Sequence, residues 1–135
     1  MLPGMNSGNA LQQTETGPVA PIFRGPGEGD ALWAFDTLGV VKASAESTGG
    51  VLGLVEQLAG RGAGSPLLIH TREDEWFYVI DGELTFWVGG ELIVAPAGSF
   101  VFGPRDIPHT FVVSSNQARF LLGTNPGGAE GAAFL

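Results

Sequence analysis

From residue 31 to about 124 the chain alternates between short apolar runs and turn residues. The runs cover 31–35, 38–42, 50–58, 67–71, 76–80, 83–88, 91–95, 100–102, 110–114 and 119–123. Between them stand Ser47-Thr48-Gly49-Gly50, residues 60–66, Asp81-Gly82, Gly89-Gly90, Pro96-Ala97-Gly98, residues 104–108 and residues 114–117. Runs of about five residues with this punctuation predict an all-β sandwich or barrel. Asp81-Gly82 and Gly89-Gly90 predict tight hairpins, because type I′ turns need positive φ at both central positions. No stretch sustains a 3.6-residue apolar period. The best helical candidate, 51–59, holds Val51 and Val55 among glycines and reads as strand.

Residues 1–20 are rich in Gly, Pro, Asn and Gln and read as a flexible tail, with Pro21-Ile22-Phe23-Arg24 as a first strand or a partner-docking arm. The expected organisation is one β-barrel domain over 21–124 and a C-terminal tail over 125–135, with Phe134-Leu135 packing back. The 22 glycines and 9 prolines alternate with Val, Phe, Trp and Leu, so they mark turns of a compact β fold. A chain of 135 residues can bury a core without staples. It has no cysteine, so any metal must be held by nitrogen and oxygen. A net charge of −8 argues against a nucleic-acid partner. Residues 1–8 lack the basic and apolar stretches of a signal peptide, and no apolar run nears the roughly 18 residues that span a bilayer. The expectation is a cytoplasmic protein that uses neither nucleic acid nor membrane.

Side chains alternate faces along a strand. If Glu75 points inward, so do Phe77 and Val79, while Trp76, Tyr78 and Ile80 point out. The same parity groups Leu68 with His70, and Phe111 and Val113 with His109. Two imidazoles and one carboxylate on strands separated by glycine turns could converge on one metal ion, leaving open positions for a substrate. Leu68, Phe77, Val79, Phe111 and Val113 would then line an apolar pocket for a small molecule. Without metal, Glu75 would ion-pair with His70 or His109, raise the imidazole pKa and support acid–base chemistry by itself. Glu73 and Asp74 read as a solvated turn. Arg105 either meets an anionic substrate at the site mouth or is simply exposed. Trp33, Trp76 and Trp87 read as core or dimer-packing residues before ligand-stacking ones. Both histidines are taken by this constellation, which leaves no Ser-His-Asp set. The glycine stretches at 25–29 and 60–64 lack the Lys-Ser/Thr ending of a phosphate loop.

The spacing Gly62-x5-Leu68-x-His70-x4-Glu75-x6-Gly82, followed by Gly98-x5-Pro104-x-Asp106-x2-His109, resembles the two motifs of the cupin superfamily. Residues 72–84 and 102–111 are most similar to small bacterial cupins grouped with quercetinases, which are flavonol-cleaving dioxygenases. The resemblance implies a cupin-type antiparallel β-barrel (double-stranded β-helix, or jelly roll). It implies metal ligation by His70, Glu75 and His109, with Glu75 and His109 as the catalytic pair. It further implies a divalent metal (Fe, Mn, Ni, Cu or Zn), an aromatic or polyketide-like substrate, and a homodimer formed through edge strands and N-terminal arms. The chain departs from the family pattern at Leu68, where the other histidine of an H-x-H pair stands, and also at Asp106 and Val113. Leucine ligates nothing, so the metal would be held weakly or not at all. An O2-independent cyclase, isomerase or lyase, and a non-enzymatic small-molecule binder, therefore remain alternatives. Asp106 replaces a glycine, and Asp tolerates the left-handed conformation such a turn needs.

Overall fold

The computed structural model describes residues 19–34 and 36–128. Residues 1–18 of the expected tail over 1–20, and the docking of Phe134-Leu135, lie outside the described residues. Within them run β1 (Asp30–Ala34), β2 (Thr37–Ala43), α1 (Ala45–Thr48), β3 (Gly53–Gly60), β4 (Asp74–Asp81), β5 (Glu83–Val88), β6 (Glu91–Pro96), β7 (Phe100–Gly103), β8 (His109–Val113) and β9 (Gln117–Asn125). They form a six-stranded sheet in the order β1-β2-β3-β9-β4-β7 and a three-stranded sheet in the order β6-β5-β8. Every strand pairing is antiparallel. The all-β expectation holds, and β9 carries the barrel one residue past the 124 boundary. No helix among the described residues is long and apolar enough to cross a membrane.

Four local expectations need correction. Gly89-Gly90 closes the β5–β6 hairpin with both glycines at positive φ, but Asp81-Gly82 does not close a hairpin. β4 and β5 belong to different sheets, so the chain crosses over there. Gly82 is at φ +85°, and a Cβ on it would strike the Gln117 carbonyl and the Ala118 Cα. Residues 67–71 make no strand; they contribute one isolated bridge, Leu68 to His109. Pro21–Arg24 adopt no regular structure, so of the two expectations for them, a first strand or a docking arm, the strand falls. The short helix α1 went unread because four residues show no period. It is set by local chemistry: the Ser44 side chain accepts from the Ser47 N–H, the Ser47 hydroxyl accepts from the Ser44 N–H, and Gly49 ends it at φ +65°.

Inward side chains stack in layers across the large sheet. Register places Gly53, Thr124, Glu75 and Gly103 side by side, then Val55, Leu122, Phe77 and Val101, then Gln57, Phe120 and Val79. Against them the small sheet sets Leu84, Phe86, Phe111 and Val113 in one buried cluster. Four phenylalanines fill its centre. Phe77 meets Phe86 edge-on at 4.8 Å and Phe111 at 5.2 Å between ring centroids, and Phe111 meets Phe120 at 5.5 Å. Each such pair adds roughly 0.5–1.5 kcal/mol beyond its area burial. The phenylalanines thus fill the middle of the barrel, with buried Glu75, His109 and Thr124 at one end and buried Gln57 in the layer beyond.

Candidate metal centre

Glu75 begins the inward face of β4 and is 6 % exposed, while His109 opens β8 at 2 %. Burying an unpaired carboxylate costs several kcal/mol, so Glu75 needs partners. Its Oε1 lies 2.6 Å from His109 Nε2 and 3.7 Å from His70 Nε2. Ligand atoms of His70, Glu75 and His109 all lie within 4.8 Å of one another. The two imidazoles sit 5.5 Å apart between centroids, tilted by 37°. These are the three residues that the motif spacing singled out.

The two motifs are tied by main-chain bonds. Leu68 N–H donates to the His109 carbonyl and His109 N–H to the Leu68 carbonyl, both at 2.9 Å. Asp106 N–H donates to the His70 carbonyl at 2.7 Å, from a residue at φ +69°, the left-handed conformation foreseen for it. Gly103 pairs with Glu75 and leaves room for the imidazole, since a Cβ there would stand 3.3 Å from His109 Nδ1.

Each histidine turns Nε2 inward because something outside engages Nδ1. His109 Nδ1 lies 3.1 Å from the Ile107 carbonyl. A carbonyl only accepts, so Nδ1–H donates to it, while Nε2 faces a carboxylate. With oxygen acceptors at both nitrogens the ring favours the imidazolium. The Glu75 hydrogen bond raises the His109 pKa above the ordinary histidine value, helped by Ile107 and opposed by burial. His70 Nδ1 instead stands 3.7 Å from Glu73 Oε1. The Glu73 side chain is 19 % exposed, so this residue is part of the site wall and not only of a solvated turn.

Arg105 is committed to structure. Its guanidinium grips both Asp74 carboxylate oxygens, at 3.2 and 3.0 Å, and its N–H donates to Oδ1 at 2.9 Å. This pairing holds Asp74 below the usual carboxylate range. It clamps the loop before His109 onto β4 and engages the Arg105 guanidinium there. Phe77, Val79, Phe111 and Val113 sit in the core cluster under the triad, and Leu68 is half-buried beside it. Thr124 is a further inward residue, fully buried and in register with Glu75, and its Oγ1 has no hydrogen-bond partner among the described residues. No motif marks it. Only its parity on β9 could have found it.

Trp33 and Trp87 do not enter the core, being 72 % and 50 % exposed. Trp76 lies on the outer face of β4, where its indole N–H donates to Asn125 Oδ1 at 3.0 Å.

A family model described as a cupin domain matches residues 54–122, half of the chain. Quercetin 2,3-dioxygenase of Bacillus subtilis is 28 % identical over 107 residues, covering 79 % of this chain and 32 % of that protein. The chain therefore spans about a third of the length of that relative. Among solved structures, KdgF from Halomonas superposes with a TM-score of 0.72 at 20 % identity, covering 81 % of this chain and 96 % of that one. An oxalate decarboxylase of Bacillus subtilis gives 0.71 at 21 % identity over 90 % of this chain and 34 % of the other. At these identities the superpositions speak for the fold alone.

Proposed function

Because the chain belongs to the cupin family, we propose that it is a small metal-dependent enzyme acting on an aromatic or polyketide-like small molecule, with quercetinase-like dioxygenase chemistry. The observation that carries this reading is the convergence of two imidazole Nε2 atoms on Glu75 Oε1, with His70 Nε2 buried and without a hydrogen-bond partner among the described residues. Buried polar atoms are nearly always satisfied, so an orphan aimed at a carboxylate fits a missing cation. His70 and His109 would hold the ion through Nε2 and Glu75 through its carboxylate. Two nitrogens and one oxygen suit Fe, Mn, Ni, Cu or Zn and leave positions open. When bound, such an ion supplies Lewis acidity toward a substrate oxygen and, if redox-active, electron exchange with O2.

The chain's own residues do the rest. The Ile107 carbonyl and Glu73 keep both imidazoles turned inward. Glu75 is placed to take a proton from a substrate hydroxyl. Leu68 gives the site one apolar wall where an aromatic ring can lie. The phenylalanine core beneath keeps the substrate at the polar end. The same reading has the protein working in the cytoplasm as a homodimer, on a small molecule and apart from nucleic acid or membrane.

The 2.6 Å Glu75–His109 contact favours a second reading. A carboxylate and an imidazole of raised pKa at that distance form a proton-transfer pair, suited to O2-independent isomerase, cyclase or lyase chemistry.

Elemental analysis of protein purified without a metal-affinity tag tests the first reading, alongside Leu68→His. Near-stoichiometric metal, followed by O2 uptake with flavonols, is the expected result. An empty wild type with a metal-filled Leu68→His variant would overturn it. Turnover unchanged under anaerobic conditions would favour the second reading. Ligand affinity unchanged in Glu75→Gln and His109→Ala would reduce the protein to a binding module.

A further inference from the structure

The three-stranded sheet carries a cleft on its outer side. His109 points into the barrel and its neighbour Thr110 points out of it, so the cleft and the triad lie on opposite faces of one strand. Register sets Thr85 beside Val112 and Trp87 beside Thr110, and these four side chains make the floor. The segment after β3 makes a wall, held along β8 by main-chain bonds. The Gly62 N–H donates to the Val113 carbonyl at 3.0 Å, the Val113 N–H to the Ala63 carbonyl at 2.7 Å, and the Ser65 N–H to the Phe111 carbonyl at 3.1 Å. A Cβ on Gly64 would strike the Phe111 carbonyl, so glycine there lets the wall close on the strand. The space so formed is about 330 Å³, enough for a small molecule.

The chemistry of the cleft is narrow. None of the residues lining it is charged, in a chain of net charge −8. Its hydroxyls have already spent their hydrogens. Thr110 donates to the Ser65 carbonyl at 2.5 Å, so across the 3.4 Å contact between the two hydroxyls Ser65 is the donor. Thr85 donates to Ser114 Oγ at 2.9 Å, and Ser114 passes its own hydrogen to Glu83 Oε1 at 2.7 Å. A hydroxyl has one hydrogen and two acceptor lone pairs, so Ser65 and Thr85 are left as acceptors. Trp87 adds a large aromatic surface that the fold leaves 50 % exposed.

We propose that this cleft is a carbohydrate-binding site. It would take one pyranose ring of a neutral sugar, with a C–H face against the Trp87 indole and rim hydroxyls donating to Thr85 and Ser65. A cation finds no carboxylate in the lining, and an anion meets acceptor oxygens in an acidic chain. A flat aromatic ligand would cover Trp87 but leave the acceptors unmatched as they lose water. A sugar ring is uncharged, brings several donors at its rim, and offers weakly positive C–H groups to the negative face of the indole. The wall is tied to the strand at three points, so the cleft needs little ordering on binding. This site is independent of the metal-dependent reading given above.

NMR titration of the full chain with maltose, cellobiose and lactose tests the proposal, with glycerol as a polyol that has no ring face. Sugar at up to roughly 100 mM is enough to read a Kd in the millimolar range. At least one disaccharide should shift the Trp87 indole N–H and the amides of Ser65 and Thr85 saturably, while the indoles of Trp33 and Trp76 stay in place and glycerol shifts nothing. Trp87→Ala should weaken that affinity by at least roughly tenfold. Thr85→Val, which keeps the shape and removes the acceptor, should weaken it about fivefold. Should Trp87→Ala lose its circular dichroism, Trp87→Phe keeps a ring to stack on and should lose less than about threefold. The absence of a saturable shift with all three disaccharides would overturn the proposal. Equal shifts with glycerol, shifts centred on the His70 and Glu75 amides, or an affinity unchanged in a folded Trp87→Ala would do the same.

Discussion

His109 sits on a regular strand, its side chain 3 % exposed and both ring nitrogens in hydrogen bonds. His70 sits on an irregular segment, is 13 % exposed, and comes no closer than 3.7 Å to a carboxylate on either side. Both face the same Glu75 oxygen, so one half of the site is fixed by a short hydrogen bond while the other is held only at ion-pair distance. His109 is therefore expected to serve stability and chemistry together, and His70 to serve chemistry almost alone.

The largest expected effect breaks this pair apart. His109→Ala strips a buried carboxylate of its partner and should cost about 3–5 kcal/mol in urea unfolding, whereas His70→Ala should cost under about 1 kcal/mol. Both should abolish tight metal binding. Equal destabilisation by the two would erase the distinction. Next, Leu68→His should raise metal affinity at least roughly tenfold, read by competition with a chromophoric chelator. It adds a ligand on the loosely held side, so a change in the His109 hydrogen bond, seen in its ring NMR shifts, would count against it.

The third effect is on pH. The folded His109 pKa lies above its unfolded value of about 6.5. Protonated His109 therefore contributes stability that is fully present below the unfolded value. That contribution is lost as pH rises through the folded value, with a slope of at most ~1.4 kcal/mol per pH unit. Unfolding free energy of metal-free protein should fall across this window, and His109→Gln should flatten the fall. A wild-type profile that is flat, or that rises, would contradict the assignment. The smallest effect is expected from Glu73→Gln, which should lower metal affinity by about threefold through His70, because a 3.7 Å contact orients the ring only loosely, while leaving the His109 titration where it was.

The strands were legible because turn residues cut the chain into apolar runs of strand length. The triad was legible because the chain has only two histidines and their spacing from Glu75 and the flanking glycines resembles the two cupin motifs. What escaped is what alternation does not encode. A glycine at a hairpin and a glycine at a crossover both need positive φ, so Asp81-Gly82 looked like Gly89-Gly90 although its neighbour is β9 and not its own hairpin partner. Residues 67–71 have the composition of a strand, but a single antiparallel bridge suffices to hold them. Of the two readings given to Trp33 and Trp87, core or dimer packing, the core one fails because their parity puts both outside. Asp74 and Arg105 lie 31 positions apart, and nothing local announced their pairing.

The bridge between Leu68 and His109 is made wholly of main-chain atoms. The bonds that join the two motifs therefore ask only for an N–H and a carbonyl at position 68, and proline is the one residue that would remove a donor there. Under the proposed metal reading, a single codon at that position would set the number of donors at three or four without a change in those bonds.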